Sequence, residues 1–166
     1  IDVALRTTVG HSDLVVARAL GRFERRLYAA PEYLEQHGTP AEPSELQQHH
    51  TVTHTAQGPA VTWAFRNAQG KPLEVTVRSR LAASSSALVH HALVSGAGIG
   101  MLSSPLAAAD AAQGRLVEVL APFASGTVHT LYAVSSPGRR NAARVKAVID
   151  FLVKVSKDRW ALAPVR

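Results

Sequence analysis

Apolar and polar positions follow two periods along this chain, and the switches between them lay out a series of α/β crossovers. The pattern is densest from Leu73 to Leu120. LEVTV alternates as a strand, SSS is a polar turn, and ALVHHALV carries helical spacing up to the turn SGAGIG. Ile99–Leu102 is wholly apolar, which predicts a short central strand buried on both faces. Pro105–Gln113 predicts an Ala-rich helix closed by Gly114, and Val117, Val119 and Leu120 mark another strand. In the helix after the serines, the apolar positions Leu88, Leu93 and Val94 are expected to form the buried stripe.

The flanks read in the same way. Ile1–Arg6 alternates as a strand, and a polar loop follows from Thr7 to Asp13. Leu14–Leu20 and Phe23–Ala29 predict two strands separated by Gly21-Arg22. Pro31 suits the first turn of a helix that runs PEYLEQH and stops at Gly38. A stiff Thr39–Pro43 connector and a short helix over Ser44–His49 come next. His50–Thr55 predicts a strand, Gln57-Gly58-Pro59 a turn, and Val61–Phe65 and Leu73–Val77 the arms of a hairpin around Asn67–Gly70. Val128–Val134 is a further strand. Val145, Val148, Ile149, Leu152 and Val155 recur at helical spacing within a terminal helix from about Asn141 to Lys157.

Composition narrows the class. The 166 residues allow one domain or two small lobes, and 46% apolar residues suit a globular protein. The absence of cysteine removes disulfides, thiolate metal sites and thiol nucleophiles. No apolar run reaches the length of a membrane span, and Asp2 and Arg6 interrupt any signal-peptide core. A chain that opens inside an apolar strand reads as a fragment of something longer. The net charge of +6 suggests nucleic acid at first sight. The basic residues are dispersed, however; only Arg139, Arg140, Arg144 and Lys146 cluster, and no aromatic residues are interleaved as a stacking platform needs. A solvated basic surface is the better reading.

Chemistry is sparse. Adjacent histidines such as His49-His50 and His90-His91 point about 100° apart on a helix and to opposite faces of a strand, so neither pair holds one metal. His50 and His54 are four residues apart but in strand-like sequence. No metal and no cofactor is expected. Ser84–Ser86 lack the flanking glycines of a nucleophile elbow and read as helix caps. A helix start also offers free N–H groups and a positive dipole end, so three hydroxyls there form a receptor for a carboxylate or other anion. SGAGIG follows its helix instead of preceding it, which argues against a dinucleotide fingerprint. The aspartates form no pair suited to acid–base work. Trp63, Phe65 and Trp160 read as packing residues, Phe65 with some claim to a cleft.

Taken in order, several segments resemble the regulatory region of LysR-type transcriptional regulators. ALGRFERRLYAAPEYLEQHGTPAEPSELQQH resembles their hinge region; ALVSGAGIGMLSSPLAAADAAQGRLVEVL, the opening IDVALR and the terminal ARVKAVIDFLV are similar to the corresponding family segments. The resemblance covers essentially the whole chain and rests on the order and spacing of individually weak motifs. It implies an α/β, two-lobed, type II periplasmic-binding-protein-like fold. Residues 1–30 and 131–166 would form lobe I, incomplete at its start, and residues 31–130 lobe II.

The resemblance also implies an effector-binding domain, not an enzyme, that binds a small molecule between its lobes. By it, Arg6, Thr7 and Thr8 after the IDVALR strand face the effector, as do His54 and the helix start at Ser84, Ser85 and Ser86. Many members have Asn-Asp or Asn-Ser where this chain has Ser84-Ser85, and Pro where Ser103 or Ser104 stands. The implied setting is a cytoplasmic homo-oligomer, a dimer or larger, assembled through the regulatory domain. DNA would be touched only by a helix-turn-helix domain absent from this chain, and the membrane not at all. Two other classes remain open: a periplasmic-type solute-binding protein, which shares the fold, and a hydrolase using Ser and His.

Overall fold

The longest strand, β2 (Val16–Ala29), sets the organisation of the chain. The computed structural model describes residues 2–7, 15–54, 60–67, 69–136, 143–158, 160 and 162–163. These divide into two compact units, residues 1–24 with 128–166 and residues 25–127, and β2 runs from one into the other. The expected break at Gly21-Arg22 is absent. The strand instead carries a bulge, with a register shift between Ala19 and Gly21 against β8 (Val128–Ser135). Gly21 is there for space: a Cβ on it would stand 2.5 Å from the Cβ of Leu162. Glycine in this strand therefore marks a bulge and a close approach, not a turn.

The first unit is an antiparallel ladder. β1 (Ala4–Arg6) pairs with β8, and β8 pairs with the first half of β2. The terminal helix α4 (Ala143–Asp158) belongs to the same unit. It buries Val145 and Ser156, and the Ser156 hydroxyl donates to the Leu20 carbonyl at 2.9 Å. Of the expected apolar stripe, Val148 is exposed. Arg144 and Lys146 are engaged at the surface by Asp2 and Asp150. Arg139 and Arg140 lie outside the described residues.

The second unit carries the crossovers. The latter half of β2 pairs antiparallel with β6 (Ile99–Ser103) and with β7 (Val117–Val119). β6 runs parallel to β3 (Thr51–His54), β3 parallel to β5 (Pro72–Ala83), and β4 (Ala60–Arg66) closes the far edge antiparallel to β5. As expected, β6 lies inside the sheet, and Ile99 and Leu102 are buried. Between the strands lie α1 (Pro31–His37), a 3-10 turn over Pro43–Gln48, α2 (Ser86–Val94) and α3 (Ser104–Ala112).

Because strand side chains alternate, this sheet feeds two cores. Leu27, Ile99, Val75 and Val77 pack with Tyr33, Leu46, Trp63 and Phe65 in one. Tyr28, Val52 and Leu102 pack with Val89 and Leu93 of α2 and Ala107 of α3 in the other. Each large buried side chain contributes roughly 1.5–3 kcal/mol. The buried face of α2 is thus Val89 and Leu93, an i,i+4 pair, whereas Leu88, expected inside, is 53% exposed. β7 ends at Val119, one residue before the expected end, because Leu120 turns into the left-handed region at φ 56°. Gly100 lets β6 lie close to β3, since a Cβ there would meet the Val52 carbonyl oxygen at 2.6 Å.

Candidate functional site

Parallel register brings two of the expected site elements together. β3 and β5 run side by side with His54 opposite Ala83, so His54 and the Ser84–Ser86 segment leave the same carboxyl edge of the sheet. In open α/β sheets that edge is where ligands bind. His54, Ser84, Ser85 and Ser86 are all exposed.

Ser85 occupies the N-cap position of α2, with extended backbone at φ −115° and ψ 122°. The expected cap bond is missing: its side chain makes no capping hydrogen bond. The first intrahelical bond runs from the Val89 N–H to the Ser85 carbonyl at 3.1 Å, which leaves the N–H groups of Ser86, Ala87 and Leu88 without helix carbonyls. An acceptor of negative charge meets both those donors and the dipole end there.

Sequence reasoning passed over a neighbouring feature. β6 is parallel to β3, and beyond it Ser103 caps α3 in the same way, extended and without a side-chain cap bond, with a proline in the first turn. The signal was an apolar strand running straight into Ser-Ser-Pro. This edge therefore carries two helix starts, each with an uncommitted cap hydroxyl. Thr53, one residue before His54, is buried and hydrogen-bonded to Ser79, which fixes the end of β3 against β5.

Arg6 and Thr7 belong to the other unit. Arg6 ends β1 opposite Tyr132, and both it and Thr7 are exposed. Thr8 lies outside the described residues, as do the Gly10–Asp13 part of the first loop and the turn Gln57-Gly58-Pro59. Phe65 is 4% exposed and serves the core. A cavity beside it, between Arg25, Met101 and Glu118, has a volume of about 20 Å³, enough for a single water and no effector.

The histidines found structural work that spacing did not reveal. His90 Nε2 lies 2.7 Å from Asp110 Oδ2, and Arg115 Nε donates to Asp110 Oδ1 at 2.6 Å. Hydrogen bonds from Arg115 and then from His90 hold the Asp110 carboxyl below its ordinary value. His49 and His50 surround Tyr33 together with His37. Among the described residues, no group of three or more His, Asp or Glu is placed to hold a metal, and no Ser–His hydrogen bond forms. No helix among them is long and apolar enough to cross a membrane.

Comparison with known proteins puts this geometry in context. Residues 1–157 match the family described as LysR substrate binding domain. The chain is 35% identical over 154 residues to the HTH-type transcriptional regulator CrgA of Neisseria meningitidis serogroup C (strain 8013), covering 93% of this chain and 51% of CrgA. It is 32% identical to the probable HTH-type transcriptional regulator LtrA of Klebsiella pneumoniae, covering 92% of this chain and 50% of LtrA. The chain thus spans about half the length of the curated relatives it matches. The solved CrgA regulatory domain from Neisseria meningitidis superposes with a TM-score of 0.83 at 35% identity, over 93% of this chain and 74% of that one. The full-length virulence activator AphB of Vibrio cholerae superposes with a TM-score of 0.76 at 28% identity, over 93% of this chain and 52% of that one. The fold is the mixed α/β, type II periplasmic-binding-protein-like fold of LysR regulatory domains. These relatives are transcriptional regulators, which does not favour the solute-binding reading. This chain belongs to the LysR substrate binding domain family, the effector-binding module of LysR-type transcriptional regulators.

Proposed function

We propose that the chain senses a small anionic effector, a carboxylate by preference, through Ser84, Ser85, Ser86 and His54 together with Arg6, Thr7 and Thr8. The observation that carries this reading is the parallel register of His54 with Ala83. That register ends β3 and β5 on one edge of the sheet, where the chain enters α2 and the Ser85 side chain makes no cap hydrogen bond. Arg6 would pair with a carboxylate, and Ser85 and Thr7 would donate hydrogen bonds. Residues 1–30 and 131–166 would form lobe I and residues 31–130 lobe II; the two compact units change over nearby, at Glu24–Arg25 and Thr127–Val128.

In this reading the protein catalyses nothing. Effector binding favours one lobe geometry, and linkage transmits that bias to the whole regulator. The regulator would be a cytoplasmic homo-oligomer, a dimer or larger, joined through this domain. It would touch DNA through a domain outside the present chain.

A thermal-shift screen of small carboxylates on the intact regulatory domain tests the ligand class, because a binder stabilises by mass action. Ser85→Ala and Thr7→Val in the intact regulator should each weaken affinity for the hit by about 1.5–3 kcal/mol, or roughly tenfold or more, with unchanged circular dichroism. If both variants respond to effector as the parent does, the site lies elsewhere.

A further inference from the structure

Tyr33 of α1 is 1% exposed, and three imidazoles gather on it. His37 stacks on its ring with centroids 4.3 Å apart and planes 13° apart. His49 and His50 approach the same ring at 5.9 Å and 6.1 Å, and the His37 and His50 rings are 5.0 Å from each other. None of these residues belongs to the proposed effector site.

Hydrogen bonds tie the cluster together. The His50 amide donates to the Tyr33 hydroxyl oxygen at 2.9 Å. The Tyr33 hydroxyl also lies 3.1 Å from His49 Nδ1, and in the tautomer that leaves this nitrogen bare the hydroxyl donates to it. Arg80 of β5 places Nη1 within 2.9 Å of both ring nitrogens of His50, and a neutral ring offers that donor one bare nitrogen whereas an imidazolium offers none. His37 Nδ1 donates to the Tyr33 carbonyl at 3.1 Å. The charged and titratable groups facing the cluster are therefore His37 from α1, Glu45 from the 3-10 turn and Arg80 from β5. Glu45 alone favours a charged His49.

What the cluster holds is the start of β3. The segment that donates to Tyr33 through the His50 amide also accepts the Ile99 N–H at the His50 carbonyl, at 2.9 Å, so the entries to β3 and β6 are tied at one residue. Gly98 packs against that carbonyl, where a Cβ would stand 2.2 Å from the oxygen.

We infer that this cluster is a proton-operated latch: with its imidazoles neutral it fastens α1 to the entry of β3, and when His49 and His50 take up protons it releases it. A proton on His49 Nδ1 turns an acceptor into a donor facing the hydroxyl. A proton on His50 sets an imidazolium against a guanidinium in a partly desolvated pocket. Burial, with His37, lowers the His49 value, and burial, then Arg80 and His37, lowers that of His50. Groups with depressed folded-state values bind fewer protons folded than unfolded. Their contribution to stability is present above the ordinary imidazole value of about 6.5 and is lost as pH falls below it. Such a latch would give a ligand sensor a second input, acidity.

The test is an NMR titration of the imidazoles and of the His50 amide from about pH 8 to about pH 5, with melting curves across the same range. The 166-residue chain is compared with His49→Asn, whose amide oxygen replaces the Nδ1 acceptor without titrating. The expected result is that His49 and His50 titrate below the ordinary value, that the His50 amide shifts with the same midpoint, and that His49→Asn loses at least half of the wild-type fall in Tm. The inference is overturned if the two rings titrate at or above the ordinary value, or if His49→Asn melts with the wild-type pH slope. Should His49→Asn not fold, the wild-type titration decides alone.

Discussion

Asp110 joins α3 to α2 through His90: its Oδ2 atom lies 2.7 Å from Nε2 of that ring, while Arg115 takes Oδ1 at 2.6 Å. The Asp110 carbonyl accepts the Arg115 and Leu116 amides at 2.8 Å and 3.3 Å, so one residue also ends α3 and turns the chain toward β7. The carboxyl titrates below its ordinary value because Arg115 and His90 hydrogen-bond its charged form. A depressed carboxyl stabilises the fold above the unfolded value of about 4, and that stability is lost as pH falls through the folded value. Asp110→Asn should therefore melt below wild type at neutral pH. The gap should narrow on acidification below about pH 4. Equal melting temperatures at neutral pH would show that the bridge contributes nothing.

The inner face of α2 makes a contrast of neighbours. Val89 and Leu93 are fully buried, and Leu88 is 53% exposed. Leu93→Ala should cost about 2–5 kcal/mol in urea unfolding, through lost transfer energy and the cavity left behind. Leu88→Ala should stay within about 0.5 kcal/mol of wild type. A large loss at Leu88 with none at Leu93 would mean that the helix is turned the other way.

β3 and β6 are held close by Gly100, whose added Cβ would lie 2.6 Å from the Val52 carbonyl oxygen and 3.1 Å from the Leu93 methyl carbons. The obstacle on one side is backbone, which cannot swing away. Gly100→Ala should destabilise by about 1–3 kcal/mol. It should also accelerate amide exchange at Thr51 and Val52, because the β3–β6 pairing runs through Thr51–Ile99 and Val52–Gly100. Unchanged exchange at those amides would remove the argument for close packing.

Periodicity made the second unit legible. The all-apolar run Ile99–Leu102, the Ala-rich helix and the Pro31-to-Gly38 helix all stand where the pattern put them, because local propensity and burial agree there. Two failures share a cause. Gly21 looks like a break until Leu162 is seen packed on it, and Leu88 looks like core until the sheet decides which side of α2 faces inward. Both depend on partners remote in sequence. The same holds for the candidate site. The serine helix start was readable, but the parallel alignment of His54 with Ala83 was not, and neither was the gathering of His37, His49 and His50 on Tyr33. Counting metal-ligand spacings along the chain misses an aromatic cluster assembled from α1 and the segment that leads from the 3-10 turn into β3.

Gly21 also lets Leu162 and Ala163 lock onto β2. Arg22 donates its amide to the Ala163 carbonyl at 2.8 Å and accepts the Ala163 amide at 2.9 Å, a two-bond bridge that Leu162 can reach only because Gly21 has no side chain. Ser156 reinforces the same spot from α4 through the Leu20 carbonyl. Gly21→Val would push Leu162 off the strand and leave the Arg22 and Ala163 amides open to solvent. The expected loss is about 1–3 kcal/mol from overpacking. Exchange at these two amides should rise together, while exchange across Thr51–His54 in the other unit stays as in wild type. Ser156→Ala, which removes one hydrogen bond without a clash, should cost only about 0.5–1.5 kcal/mol. A Gly21→Val protein with wild-type exchange at Arg22 and Ala163 would mean that the bridge does not form in solution.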